Sequence, residues 1–87
     1  MIFPTLHMNG TSKNQLLDDY CDIGHALNAA MEKMIQNGPN ARDYYPQGDQ
    51  AFSVARQEHM DRIAKIHAVK EEIDQIATFI ADAEGGR

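Results

Sequence analysis

Apolar residues recur every three or four positions along two long stretches of the chain, a spacing that is typical of amphipathic helices. In the first stretch, the residues on this spacing are Leu16, Tyr20, Ile23, Leu27, Ala30 and Met34. The stripe is widened by Leu17, Gly24, Met31 and Ile35. Just before it, Ser12 and Gln15 have the spacing of a capping box, in which each side chain accepts a backbone N–H bond. We predict a helix over residues 12–37, closed by Gly38 in the left-handed conformation and by Pro39.

The second stretch is longer, and no glycine or proline interrupts it. Its apolar residues, with one histidine on the same spacing, are His59, Ile63, Ile66, Val69, Ile73, Ile76 and Ile80. Asp49 precedes the stretch and is a suitable N-cap residue, and Gly85-Gly86 follows it as a stop signal. We predict a helix over residues 49–84, roughly 50 Å long against roughly 37 Å for the first helix.

An arm and a loop make up the rest of the chain. Residues 1–11 contain Pro4 and the turn pair Asn9-Gly10, so we expect an extended arm that ends in a turn. Residues 38–48 form the loop between the helices, and a short connection favours antiparallel neighbours. The sequence therefore predicts one all-α domain, an antiparallel two-helix hairpin with an extended N-terminal arm.

Two helices alone cannot enclose a core. Val69 and Ile76 of its stripe, together with Ala77 and Phe79, lie beside the other isoleucines and give the second predicted helix more apolar surface than one partner helix can cover. A chain this short buries only about 60–65% of its unfolded surface and is marginally stable by itself. We therefore expect the hairpins to assemble as a homo-oligomeric helical bundle.

Composition narrows the classes of partner. The net charge is −5, which disfavours binding to a nucleic-acid polymer because no basic patch is available. No stretch approaches the ~20 apolar residues of a membrane span, and the first ten residues lack the charged start and apolar run of a signal peptide. The single Cys21 allows no internal disulfide. These features predict a cytoplasmic protein without a membrane partner.

The loop carries more recognition chemistry than a connection requires. Arg42 offers a planar set of donors suited to phosphate. Tyr44 and Tyr45 offer flat rings for stacking on a base. Asp43 can accept hydrogen bonds from ribose hydroxyls, and Gln47 can both donate and accept. Together these residues predict a site for a nucleotide-like small molecule.

Each loop residue also has a purely structural interpretation. One tyrosine can fill the end of the hairpin, Pro46 can only stiffen the turn, and Arg42 and Asp43 can be surface charges. Five further residues are candidate ligand contacts: His7, Asn9, Thr11, Arg56 and His59. In the structural interpretation, the three arm residues merely shape the turn. His59, on the apolar stripe, is then a core or interface residue.

Evidence for catalysis or metal binding is weak in this sequence. Asp18, Asp22 and His25 share one helical face, an arrangement that is more often a solvated polar face than a metal site. Glu71 and Asp74 have the E-x-x-D spacing of helical nucleotide pyrophosphohydrolases, but the paired upstream E-x-x-E is missing. No nucleophile stands beside a base. We therefore predict a non-enzymatic protein with no metal and no cofactor, and a small metal-dependent hydrolase is the weakest alternative.

Three segments carry a resemblance to known proteins. "PTLHMNGTS" in the arm, "ARDYYPQG" in the loop and "EHMDRI" in the second helix resemble a family of short phage and prophage proteins. In architecture the chain also resembles phage anti-defence sponge proteins, such as anti-CBASS protein 2 and the Thoeris anti-defence proteins. This second resemblance implies an oligomer that traps cyclic dinucleotides or cyclic ADP-ribose-type signals. It implies that Arg42 holds phosphate, that Tyr44 or Tyr45 stacks on the base, and that the arm of another subunit closes the site.

Two functional hypotheses follow. In the first, a phage-type oligomer binds a nucleotide-derived immune signal and sequesters it, so that the host's anti-phage defence is evaded. In the second, the chain is a protein-interaction or assembly module, and its exposed helix face docks onto a host or virion protein. Neither hypothesis requires a chemical step.

Overall fold

The computed structural model describes residues 1–83 and confirms the predicted helical hairpin. Two long helices, α1 (Lys13–Gln36) and α2 (Ala51–Asp82), pack against each other. Single 3₁₀ turns at Ala41–Asp43 and Tyr45–Gln47 form most of the loop between them. No strand occurs in the described part of the chain. The result is a rod with principal extents of 61 × 20 × 17 Å.

The ends of α1 depart from the prediction in two details. Ser12 caps the helix as predicted, and its side chain accepts from the Gln15 backbone N–H at 3.2 Å. The reciprocal bond of the capping box is replaced, because the Gln15 side chain donates to Asp19 at 2.8 Å. At the other end the prediction of a left-handed Gly38 is wrong. Asn37 is the C-cap instead, and its backbone N–H and side-chain amide both donate to the Lys33 carbonyl.

The start of α2 also differs from the prediction. Asp49 does not cap the helix, because it lies within a turn that the Ala51 N–H closes onto the Gly48 carbonyl at 3.3 Å. Gln50 takes the N-cap position in a helical backbone conformation, without a capping side-chain bond. Gly48 has a φ of 113°, a left-handed value that favours glycine over residues with a Cβ. The helix ends at Asp82, while the predicted end at Glu84 and the stop signal Gly85-Gly86 lie outside the described residues.

The two helices meet along one line of side chains. At the middle of this line, a Cβ added to Gly24 would lie 3.4 Å from Asp74 Oδ1 and 4.0 Å from Ile73 Cγ2, so the helices approach closely there. Only Met31, Ala55 and Ile80 are buried hydrophobic residues within the described chain. The other seam residues are half-buried, because a second helix covers only part of each side chain.

The contact line divides the hairpin into two sides. On one side, Cys21, Asn28, Lys70 and Ala77 line a shared cleft. Side chains on the opposite flank of each helix therefore share the other side. They are Leu16, Ile23 and Ala30 on α1, at seven-residue spacing, and Val69 and Ile76 on α2. We call these five residues the apolar face.

The arm packs at the end of the rod that lies opposite the loop. The Phe3 ring stacks on the Phe79 ring with centroids 4.8 Å apart. The Lys13 ammonium donates to the Ala83 carbonyl at 3.0 Å, which ties the start of α1 to the end of α2. Between these contacts, a turn is closed by the bond from the Gly10 N–H to the His7 carbonyl at 3.1 Å. The arm and the loop are thus held at opposite ends of the hairpin.

Within residues 1–83, no helix is both long enough and apolar enough to cross a membrane.

Two isoleucines test how much of the stability comes from the helix contact. Ile80 is fully buried, whereas Ile35 is 68% exposed. We expect Ile80→Ala to lower the free energy of unfolding by about 2–5 kcal/mol, since it leaves a cavity. Ile35→Ala should cost less than about 1 kcal/mol. Urea denaturation followed by circular dichroism measures both, and equal losses would contradict this assignment of the core.

Candidate functional site

Local hydrogen bonds fix the shape of the loop. The Asn40 side chain accepts from the Arg42 backbone N–H at 3.2 Å and caps the first 3₁₀ turn. The Tyr44 N–H then donates to the Ala41 carbonyl at 3.1 Å, and the Tyr44 carbonyl accepts from the Gln47 N–H at 2.9 Å. Tyr44 therefore stands at the junction of the two turns, where its backbone belongs to both.

The two adjacent tyrosines have different surroundings. Tyr44 is half-buried and lines two clefts, of about 360 and 510 Å³. Tyr45 is 76% exposed and lines neither of them. Only one of the two rings is thus placed to form a wall of a site.

The smaller of these clefts carries most of the charged groups, and we call it the Tyr44 cleft. Its lining includes Asp43, Tyr44, Glu58, His59 and Arg62, together with Asn37 and Asn40 just after α1. Two carboxylates thus share the space with one guanidinium. The cleft therefore offers both hydrogen-bond acceptors and donors beside one tyrosine.

The larger cleft adjoins the first one across Tyr44 and Glu58. Gln47, Asp49 and Val54 line it, and its surface is more apolar. The loop therefore offers two neighbouring spaces that share Tyr44 in their lining.

The structure brings together only part of the predicted site. Asp43, Tyr44 and His59 line the Tyr44 cleft, and Gln47 lines its neighbour. Arg42 is exposed and lines neither cleft, so the predicted phosphate donor is not part of the site that Tyr44 lines.

Four other predicted site residues lie elsewhere. Arg56 lines an apolar cleft of about 290 Å³ on the other side of His59, together with Ile35 and Met60. The remaining three are in the arm, at the far end of the rod: His7, Asn9 and Thr11. Phe79, which contacts the arm, is twenty residues from His59 along α2. The arm and the Tyr44 cleft are therefore about 30 Å apart within one chain.

His59 has a structural role in addition to lining the cleft. Its Nε2 lies 2.5 Å from the carbonyl oxygen of Met34, in the last turn of α1. A carbonyl can only accept, so Nε2 carries the proton and donates. The last carbonyls of a helix have no partner within it, and His59 satisfies one of them from α2. This contact fixes the register of the helices at the loop end.

Two charged residues of the Tyr44 cleft were missed by the sequence interpretation, Glu58 and Arg62. Their signal was their spacing: Ala55, Glu58 and Arg62 follow each other at three and four positions, and so share one face of α2. Ala55 is buried beneath the loop. A small residue at the start of a long helix, followed by charges on the same face, marks a surface on which a loop can pack.

The carboxylates considered for a metal site contact other side chains. No group of three or more metal-ligating side chains is found in residues 1–83. Glu71 lies 3.5 Å from the ring of His67, and Asp74 pairs with Lys70 at 2.7 Å. Both carboxylates of the E-x-x-D pair thus face side chains of their own helix.

Comparison of the chain with protein-family models, curated proteins and solved structures finds no match. The resemblance to phage proteins therefore stays a prediction, and the functional argument depends on the geometry of the hairpin.

The contact between His59 and the end of α1 leads to a prediction. His59→Ala should lower the free energy of unfolding by about 1–2 kcal/mol, because the Met34 carbonyl loses its donor. Arg56→Ala is the matched control; it lies one turn away and is exposed, so its effect should stay within about 0.5 kcal/mol. Urea denaturation at one fixed protein concentration measures both. Indistinguishable midpoints for the two variants would show that the histidine does not fix the loop end.

Proposed function

We propose that this chain is a protein-interaction module whose hairpin completes its core by packing against another helical surface, without catalysis. The observation that carries the proposal is the small buried core. Three hydrophobic residues are buried in the described chain, while Ile23, Val69 and Phe79 each expose 43–47% of their surface. Burial of apolar surface is the main force that stabilises a fold, and in this hairpin much of that surface remains in contact with water.

The dimensions of the chain support the same conclusion. Its accessible surface is 6560 Å², against about 5,100 Å² expected for a compact monomer of this mass. Its radius of gyration is 18.9 Å, against about 12 Å expected for its length. A standard protein interface buries about 800 Å² on each partner. The surplus surface is thus large enough to supply a stable interface.

The apolar face is the surface that best fits such a partner. Its residues lie beside the helix contact line, so a second pair of helices packed on them would form a four-helix bundle. The first partner that we propose is another copy of the chain, since the same face is then covered on both molecules. A helical surface of another protein would fit the same face by the same packing.

Self-association predicts different effects for two exposed residues of α2. Val69, on the apolar face, is 47% exposed, and Met60, on the other side, is 52% exposed. We expect Val69→Lys to convert the oligomer to monomer, because it would place a charge in the interface. Met60→Lys should leave the mass unchanged. Size-exclusion chromatography with light scattering measures the mass against the 9.7 kDa of one chain.

Thermal melts at several protein concentrations provide a second measurement, because association makes the midpoint rise with concentration. A 9.7 kDa species whose midpoint is independent of concentration would rule out self-association. In that case the apolar face would remain available to a different protein.

A second candidate function is sequestration of a nucleotide-derived small molecule, favoured by the two clefts that meet at Tyr44. The ring offers a stacking surface for a base, at about 1–3 kcal/mol per stacked base. Asp43 and Glu58 can accept hydrogen bonds from ribose hydroxyls, and Arg62 can meet a phosphate. Because the carboxylates outnumber the guanidinium in this cleft, the base and ribose would supply most of the recognition. A cyclic dinucleotide or a cyclic ADP-ribose-type signal contains both groups.

The adjacent tyrosines provide a matched pair of variants for this second function. We expect one compound from a panel of cyclic dinucleotides and ADP-ribose derivatives to raise the melting midpoint by several degrees. Tyr44→Ala should abolish the shift, and Tyr45→Ala should preserve it, because only Tyr44 lines the clefts. Recovery of the intact compound after denaturation would show that it is held and not hydrolysed. Equal loss in both variants, or no shift with any compound, would exclude this site.

A further inference from the structure

The apolar face is continuous with the two ends of the rod on one side of the hairpin. Residues at three- or four-residue multiples share a face of a helix, and on α2 they are Glu58, Arg62, Val69, Ile76 and Phe79. The first two border the Tyr44 cleft. Phe79 holds the arm, because its ring stacks on the ring of Phe3. Cleft, apolar face and arm thus follow one another along the same side.

The near edge of the cleft and the end of α2 beside the arm lie on opposite sides of the middle of the apolar face, at similar distances from it. Ile23 is the central residue of the face on α1, and the close approach of the adjacent Gly24 to Ile73 places Ile23 level with Ile73. Arg62 precedes Ile73 by eleven residues, or about 16 Å, and Ala83 follows it by ten residues, or about 15 Å. A two-fold axis at this level would therefore bring the arm end of one copy to the cleft end of the other.

We propose that two copies pack antiparallel through their apolar faces, about a two-fold axis level with Ile23, so that the arm of each copy borders the Tyr44 cleft of the other. This arrangement rests on the proposed self-association and specifies its geometry. An isologous contact of this kind is closed, because each arm meets one cleft and each cleft meets one arm.

Charge favours the antiparallel arrangement over the parallel one. In a parallel pair the two arm ends would face each other, and this end of the rod is acidic, because residues 1–24 and 68–83 carry seven carboxylates and two lysines. In the antiparallel pair the acidic end instead faces the cleft end, where residues 31–67 carry five basic and five acidic side chains. Like charges brought together at an interface are unfavourable.

The arm has apolar side chains that its own chain leaves uncovered. Ile2 is 93% exposed and Met8 is 90% exposed. Their own Tyr44 cleft is about 30 Å away, at 1.5 Å per residue along α2, so they can border only the cleft of another copy. The predicted site residues of the arm, including His7 and Asn9, would then lie beside the loop residues after all.

Spin-label distances test the orientation directly. Cys21 is exposed and is first replaced by serine. A label at Arg62→Cys then reports the separation of the two cleft ends. The antiparallel pair predicts a separation of about 33 Å along the rod, twice eleven residues. A parallel pair predicts roughly 10–20 Å, the distance across adjacent helices.

Mixed cross-linking supplies an independent test. Chains with Met8→Cys are mixed with chains with Arg62→Cys, both in the Cys21→Ser background, and oxidised. We expect a covalent heterodimer to form in preference to either homodimer. Asn28→Cys replaces Arg62→Cys as the control, because Asn28 lines the cleft on the opposite side of the hairpin. That mixture should give only the background level of heterodimer.

The outcomes separate the geometry from the proposed function. A long label distance with the Met8–Arg62 cross-link supports the antiparallel pair. A dimer with a short label distance and no such cross-link overturns it, while self-association stands. A monomer at every concentration overturns the antiparallel pair and self-association alike, and leaves a different protein as the partner of the apolar face.

Discussion

A pair of helices meets along a single line, and that line can bury only one narrow stripe of each helix. In this hairpin the limit shows in two isoleucines. Ile80 of α2 lies on the contact line and is fully buried, whereas Ile35 of α1 lies beside the line and is 68% exposed. Side chains beside the line leave apolar surface exposed to water, which is unfavourable in free energy. Packing against a third or fourth helix would bury this surface. The proposed association is a consequence of this geometry.

The same constraint shapes the loop end. The last carbonyls of α1 need donors, and a two-helix fold offers few side chains that can reach them. Asn37 supplies donors from within its own turn, and His59 supplies one from α2. Once His59 is directed at α1, its neighbours Glu58 and Arg62 lie beneath the loop, next to Tyr44. The charged lining of the cleft therefore follows from the way in which the helix end is satisfied.

The interaction surface and the cleft are linked by their position on one side of the hairpin. If the apolar face is covered by another copy in the proposed orientation, the cleft gains a wall that its own chain cannot provide. The interaction module and the small-molecule site are then two parts of one assembly, and a ligand bound between copies would also strengthen their association by mass action. Loss of the dimer would leave a cleft that is open to water along one edge.

Local pattern was enough to predict the two helices, the Ser12 cap and the antiparallel hairpin, because helix periodicity and capping depend on residues only a few positions apart. The same pattern was wrong about Gly38 and Asp49, since neighbouring residues compete for the same cap and turn positions. It also could not tell Tyr44 from Tyr45, or choose Arg62 over Arg42. Those choices depend on the register between α1 and α2, which joins residues about twenty-five positions apart, such as Met34 and His59. Only the tertiary contact fixes that register, so the sequence by itself determined the elements, and their packing decided which side chains form the cleft.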